Sequence, residues 1–230
     1  MKKTAEICTA LAFFLLVWGI LLTTIDVCCF NKDFYRRELE KNNTVEATGM
    51  ESEDVIDSMV VLLDYLRYER DDIVIVRKVH GAEREVFNER ETLHMIDVRD
   101  LYRNALTVRN IFLVLAAVLL IPVFQLPREE RAGQLKRGMI NGSLFVLGFT
   151  AFIGIWAAVD FNHFWTNFHL LFFDNDLWLL DPRTSIMINM LPGNLFFDLV
   201  AGIIIRFLIC MIVLYAAVCF LVPRLWSART

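Results

Sequence analysis

Four stretches of this chain fix its solvent before anything else about it. Ile7 to Phe30, Asn110 to Leu126, Met139 to Val159 and Leu199 to Val222 are each apolar and long enough to cross a hydrocarbon core. That crossing spans roughly 30 Å and takes about 20 helical residues. An apolar share of 57% over 230 residues agrees, because soluble domains stay near about one half. The expected fold class is therefore a mainly α membrane protein, with four transmembrane helices and an extracellular α+β cap.

Lys2 and Lys3 precede the first run as in a secretory signal, but the run is too long and no small-residue cleavage site follows. Cys28 and Cys29 follow "TIDV", whose acid does not suit a lipidation site, so the run is read as a retained helix. Short basic segments set the orientation. Lys2 and Lys3 lead the first span, "PREERAGQLKR" joins the second to the third, and Arg224 and Arg229 follow the fourth, so both termini are expected to be cytoplasmic. Residues 31–108 carry 12 Lys/Arg against 18 Asp/Glu, and a loop of 78 residues can be translocated whatever its basic content. The expected organisation is a first helix over 1–30, an external cap over 31–108 and a second helix over 109–126. A cytoplasmic loop over 127–138, a third helix over 139–159, an external aromatic loop over 160–198 and a fourth helix with its tail over 199–230 complete it. A net charge of −4 gives no basic face for nucleic acid. Cys8, Cys28, Cys29, Cys210 and Cys219 all lie in or at the ends of spans, so no disulfide framework is expected in the cap, and no cysteine and histidine spacing implies a metal.

Within the cap, "NKDFYRRELEKNN" reads as a short helix with Phe34 and Tyr35 at headgroup depth. "ESEDVIDSMVVLLDYLRYE" reads as an amphipathic helix that Ser52 caps, with Val55, Met59, Leu62, Leu63 and Leu66 at helical spacing. "DIVIVRKV", Gly81 and "REVF" predict a hairpin. Asn88, with Glu91 three positions on, opens a further helix that runs almost directly into the second span. His94, Asp97, Val98 and Leu101 share one of its faces.

All four histidines lie on the external side. His80 beside Gly81 is read as a turn residue, and His163 and His169, six apart, do not share a helical face. His94 and His169 stand at the cap and membrane boundary, the latter among Phe161, Phe164, Trp165, Phe168, Phe172 and Phe173. No G-x-S-x-G is present, so general acid and base chemistry by imidazole is the better-supported catalysis. It suits acyl transfer within one substrate that carries both nucleophile and ester. Asp26 and Arg206 are charges inside apolar runs and are expected to form a structural ion pair.

"FYRREL", "LLDYL", "REVFNERETLHMIDVRDLY", "FHLLFFDNDLWLLDP" and "MLPGNLFFD" together resemble the bacterial lipoprotein intramolecular transacylase family, Lit, in order along nearly the whole chain. The resemblance implies four transmembrane helices beneath an extracellular cap. It also implies an enzyme that moves the sn-2 acyl chain of a diacylglyceryl-modified lipoprotein to the amino group of its N-terminal cysteine, giving the lyso-form. It maps the family's two histidines onto His94, in "ETLHMIDV", and His169, in "NFHLLFF". The chain departs from the family pattern at Ser185 and Gly193, where acids are expected. Around the histidines, Tyr35, Tyr65, Asp97, Phe168, Phe172, Phe173, Asn175, Asp176 and Trp178 form the expected substrate-binding or supporting set, with Asp97 orienting His94. No metal or cofactor is implied, and lipoproteins and membrane lipids are the expected partners. The alternative is a non-enzymatic membrane sensor or assembly partner whose cap binds protein. A transporter fits less well, because internal repeats and mid-span helix breaks are missing.

Overall fold

The computed structural model describes residues 2–227, with side chains as far as Arg224; Arg229, counted above among the basic residues after the fourth span, lies outside the described residues. In chain order the elements are α1 (Lys2–Cys29), α2 (Lys32–Lys41), α3 (Thr44–Thr48), α4 (Ser52–Leu66), β1 (Val76–Val79), β2 (Ala82–Glu85) and α5 (Glu89–Leu120). After these come α6 (Arg128–Val159), α7 (Phe161–Phe172), α8 (Ile186–Met190), α9 (Gly193–Ala216) and α10 (Val222–Ser227). A 3₁₀ turn, Ile121–Gln125, extends α5, and a π turn, Ala217–Leu221, joins α9 to α10. Among the described residues four helices are long and apolar enough to cross a membrane: α1, α5, α6 and α9 with their extensions.

The chain divides into two compact units. One comprises residues up to Asp26, Ala105–Ile155 and Ala201 onward; the other comprises Val27–Asn104 and Trp156–Val200. α5 continues unbroken through the change of unit after Asn104, a few residues before the expected cap boundary at 108, because packing changes before composition does.

In the membrane-spanning unit, α6 lies against the backbone of α1. A Cβ on Gly142 would stand 2.2 Å from the Ala10 carbonyl oxygen, and one on Gly138 would stand 2.3 Å from the Thr9 methyl. Glycines four apart let two helices approach at the backbone, where lipid supplies no hydrophobic drive and close van der Waals contact must hold the pair. Val17, Val146, Phe207 and Met211 fill one cluster, and Phe13, Met139 and Val218 fill another. The hydroxyls of Ser143 and Tyr215 hydrogen-bond across the unit. Asp26 pairs with Arg109 at 2.7 Å, which corrects the expected pairing with Arg206. Gly19 of α1 faces Leu113 of α5, so the antiparallel register brings Asp26 to Arg109. Arg206 instead donates to the Gly202 carbonyl of its own helix at 3.3 Å.

The cap unit has its own core. Leu39 of α2, Val55, Met59, Leu62 and Leu63 of α4, Val79 of β1, Met95 of α5, Met187 and Met190 of α8, and Leu195 of α9 are buried together. Burying a side chain such as Leu62 contributes about 1.5–3 kcal/mol, which offsets the ordering of these short elements. The Asn31 side chain accepts from Phe34 N–H and caps α2. α4 begins one residue earlier than its serine suggests: extended Glu51 is the cap residue, and Ser52 is already helical. β1 and β2 pair antiparallel, Val79 opposite Ala82, around a two-residue turn. His80 and Gly81 both take positive φ there, 51° and 83°, the geometry whose twist matches a hairpin. Residues 160–198 are not a loop throughout, because Asp160 accepts from His163 N–H at 3.0 Å and starts α7.

Candidate active site

The cap unit brings His94 and His169 together through two helix ends. α5 opens with a reciprocal cap in which Glu91 Oε2 accepts from Asn88 N–H (2.6 Å) and Asn88 Oδ1 accepts from Glu91 N–H (3.0 Å). Glu91 is fully buried. Its other oxygen accepts from the Ser185 hydroxyl (2.5 Å) and from Met187 N–H (2.7 Å), which fastens α5 to the start of α8. An acid at position 185 would set two carboxylates against each other, so the serine suits its partner. His94 follows Glu91 by one turn and is 8% exposed.

His169 sits in the last turn of α7, also 8% exposed. Its ring centroid lies 6.1 Å from that of His94, with the planes 33° apart. Phe173 packs on both rings, 5.3 Å from His94 and 5.7 Å from His169. Trp178 stacks on His169 at 4.8 Å, and Trp165 meets it edge-on at 5.0 Å. Phe168 touches His169 at 5.6 Å, and Phe172 joins through Phe168 at 4.9 Å. A second row continues the wall away from the imidazoles: Trp165 stacks on Phe161 and on Phe196 of α9.

Two contacts from α5 hold the loop that carries Trp178. Asn175 Nδ2 donates to Asp97 Oδ2 at 2.9 Å. Arg90 donates to the Asp176 carbonyl oxygen and pairs with its carboxylate at 3.1 Å. Asn175 also accepts Leu177 N–H through its side chain and Trp178 Nε1–H through its carbonyl, both at 3.0 Å. The Asp97 carboxylate thus bonds Asn175 rather than the His94 imidazole, and acts on His94 only through its field. His94 and Asp97 share a helix face, but the loop amide of Asn175 takes the carboxylate.

The electrostatics of the two rings are distinct. The apolar stretch of α5 starts at Asn110, so His94 stands outside the membrane-spanning segment. Burial, reinforced by neighbouring His169, pushes the His94 imidazole down to about 4; Asp97 works against this and Arg90 with it. Burial also lowers His169, opposed by a hydrogen bond to the Trp165 carbonyl. Both rings are therefore neutral at pH 7. His169 Nδ1 lies 2.8 Å from Trp165 O. A carbonyl oxygen only accepts, so Nδ1 carries the proton and Nε2 presents its lone pair. His94 Nδ1 is buried and meets no hydrogen-bond partner among the described residues.

The remaining expected residues lie elsewhere in the unit. The Tyr35 hydroxyl donates to the Cys29 carbonyl at 2.9 Å, and burial raises its pKa. Tyr65 supports the Arg99 guanidinium, 4.2 Å above its ring. Both tyrosines belong to the cap core and make no ring contact with either imidazole among the described residues. Trp156 Nε1 donates to His163 Nδ1 at 3.2 Å, so His163 is held apart from the pair. No group of three or more metal-ligating side chains occurs among the described residues. Arg90 and Glu91 also hold the site and were not anticipated as part of it, whereas Trp165 was expected among the aromatic residues around His169. A cleft of about 530 Å³ opens beside the wall, lined by Asp160, Phe161, Asn162, Asn194 and Phe197 among others. A smaller one lies beyond Ser185.

The family model of the lipoprotein intramolecular transacylase Lit matches residues 10–197. Among solved structures, the membrane integral lipoprotein intramolecular transacylase Lit from Bacillus cereus has the same fold, with TM-score 0.79 and 18% identity over 100% of this chain and 98% of that one. A variant of the Bacillus cereus protein with one histidine replaced by arginine superposes with TM-score 0.76 at 19% identity, covering 97% of this chain and 94% of that one. Among curated proteins, sequence comparison finds no match.

Proposed function

The chain belongs to the Lit family of lipoprotein intramolecular transacylases, acyltransferases of the bacterial membrane, and on that premise we propose that it converts diacylglyceryl lipoproteins to the lyso-form by paired-imidazole catalysis. In this reading the α-amino group of the N-terminal cysteine attacks the carbonyl carbon of the sn-2 ester. A C–N bond forms, the C–O bond to glycerol breaks, and one proton moves from nitrogen to the departing oxygen. No covalent enzyme intermediate is needed, because nucleophile and ester arrive on one molecule.

His169 is the base: with Nδ1–H committed to Trp165, its Nε2 takes the amine proton. His94, neutral at pH 7, offers its ring N–H to the developing oxyanion and to the glyceryl oxygen as it leaves. Charge on either ring disfavours charge on the other, so the pair holds one proton in transit and no more. Phe168, Phe172, Phe173 and Trp178 confine the lipidated cysteine, and Asn175 and Asp176 hold that wall through Asp97 and Arg90. The cap faces the outside, with both termini in the cytoplasm.

The observation that carries the reading is the approach of two buried neutral imidazoles, 6.1 Å between centroids, one with its tautomer fixed. Mass spectrometry of a reporter lipoprotein's N-terminal peptide tests it. His94→Ala and His169→Ala are each expected to lower lyso-lipoprotein formation by about 10²–10⁴ with membrane insertion unchanged. Activity retained in either variant removes that histidine from the mechanism.

A further inference from the structure

A second cleft of the cap unit, of about 170 Å³, opens between the hairpin turn and the segment after Pro182. His80, Arg84, Arg183, Thr184, Ser185 and Asn189 line it, and no Asp or Glu does. Arg183 is bidentate to Asp181 through Nε (3.1 Å) and Nη2 (2.7 Å). Arg84 differs. It donates from Nε to the Glu85 carbonyl at 3.1 Å, and its terminal nitrogens meet no acid among the described residues. Successive side chains of a strand alternate between faces, so Glu83 and Glu85 point away from the face that Arg84 shares with the cleft. Arg84 and Arg183 are thus the charged side chains of the lining, Arg183 paired with Asp181, although residues 31–108 are net acidic.

β2 pairs only with β1 among the described residues. In the observed register Val79 faces Ala82 and Arg77 faces Arg84, and Val86 N–H donates to the Ile75 carbonyl. That pattern turns the backbone N–H and C=O groups of Glu83 and Glu85 outward beside Arg84, whose Nε already donates to the Glu85 carbonyl and leaves it one lone pair. An open strand edge recognises an extended chain, and a guanidinium recognises a carboxylate on it. The cleft also shares Ser185 with the strut that reaches Glu91, three residues before His94.

We infer that this cleft, with the β2 edge, binds an extended, carboxylate-bearing stretch of polypeptide, namely the chain that follows the modified cysteine of a lipoprotein substrate. This rests on the proposed reaction for the identity of the substrate, but not for the binding itself. It gives the enzyme a handle on the protein part of its substrate, separate from the aromatic wall that confines the lipid.

The test uses the full-length protein in detergent micelles and a fluorescein-labelled, unlipidated peptide of alternating aspartate and serine, followed by anisotropy. Binding is expected to weaken about tenfold in Arg84→Gln and at high salt, and further in Arg84→Glu. The same peptide with asparagine for aspartate is expected to bind as weakly to the native protein. Equal affinity of Arg84→Gln and native protein, or of the aspartate and asparagine peptides, overturns the inference. Inorganic phosphate that binds as tightly as the peptide overturns the peptide assignment. The probe carries no acyl chain, so His94→Ala is expected to bind it with native affinity; the peptide site and the catalytic reading therefore fail or stand separately.

Discussion

His169 is oriented by a main-chain carbonyl where many catalytic histidines use a carboxylate. A carbonyl fixes the tautomer without adding negative charge, so burial lowers the pKa with only a hydrogen bond opposing it. Both rings then take up protons only below the ordinary value of 6.5, His94 at about 4. The rate of lyso-lipoprotein formation, divided by the unprotonated fraction of the substrate amine (ordinary pKa about 7.7–8.0), is accordingly expected to stay level from pH 8 to 6.5 and to fall as the pH drops further; an acid limb centred above 6.5 after that division would contradict it. Stability follows the same sign. The unfolded chain binds a proton at His94 near 6.5 and the folded one does not until about 4, so stability is whole above 6.5 and declines between these values. The decline is about 3 kcal/mol. Glu91→Ala strips the acceptor from the Ser185 hydroxyl and from two backbone N–H groups. A loss of about 3–5 kcal/mol is expected, seen as a fall of roughly 10 °C in thermal unfolding. At this scale the capping role of Glu91 was legible from Asn88-x-x-Glu91, whereas its second pair of donors, more than ninety residues on, was not. The partner of Asp26 was hidden likewise: an intramembrane acid calls for a cation, but register chooses between Arg109 and Arg206.

α7 shows how an element passes unnoticed when its residues are weighed by type alone. Phe161, Trp165, His169 and Phe173 stand four apart, as do Phe164, Phe168 and Phe172. Such rows bring rings into contact along a helix, and here Phe161 and Trp165 stack at 16° while Trp165 meets His169 edge-on and Phe168 meets Phe172 at a tilt. Aromatic density drew the segment toward an interfacial loop, although its spacing already described the helix. The four spans were plain from apolar length, and the continuity of α5 from the residues around His94 into the second span followed from the lack of any breaker. What composition left open was which helices touch. That contact lies at Gly138 and Gly142, where α6 meets α1. Gly142→Leu drives side-chain atoms into the Ala10 carbonyl, which as backbone cannot step aside. It is expected to lose about 1–3 kcal/mol or more and to reduce the monodisperse peak in size-exclusion chromatography. Gly148→Ala, with nothing within 4 Å of the new methyl, should leave that peak unchanged.

Taken whole, the molecule has two units whose order comes from different physics. One is held by close helix approach among apolar side chains, the other by a water-excluding core of short helices and a hairpin fastened with ion pairs such as Lys41 to Asp198 and Arg77 to Asp54. The class of fold was legible because the first unit writes itself in runs of apolar residues. The contacts that hold the imidazole site were not, since they depend on Ser185, Asn175 and Asp176 reaching helix α5 from far along the chain. None of the five cysteines, all of them described residues, is joined in a disulfide. Folding of the cap unit is thereby uncoupled from thiol oxidation, and a reducing cell-free extract is expected to yield protein with the same melting temperature and turnover as protein made in cells.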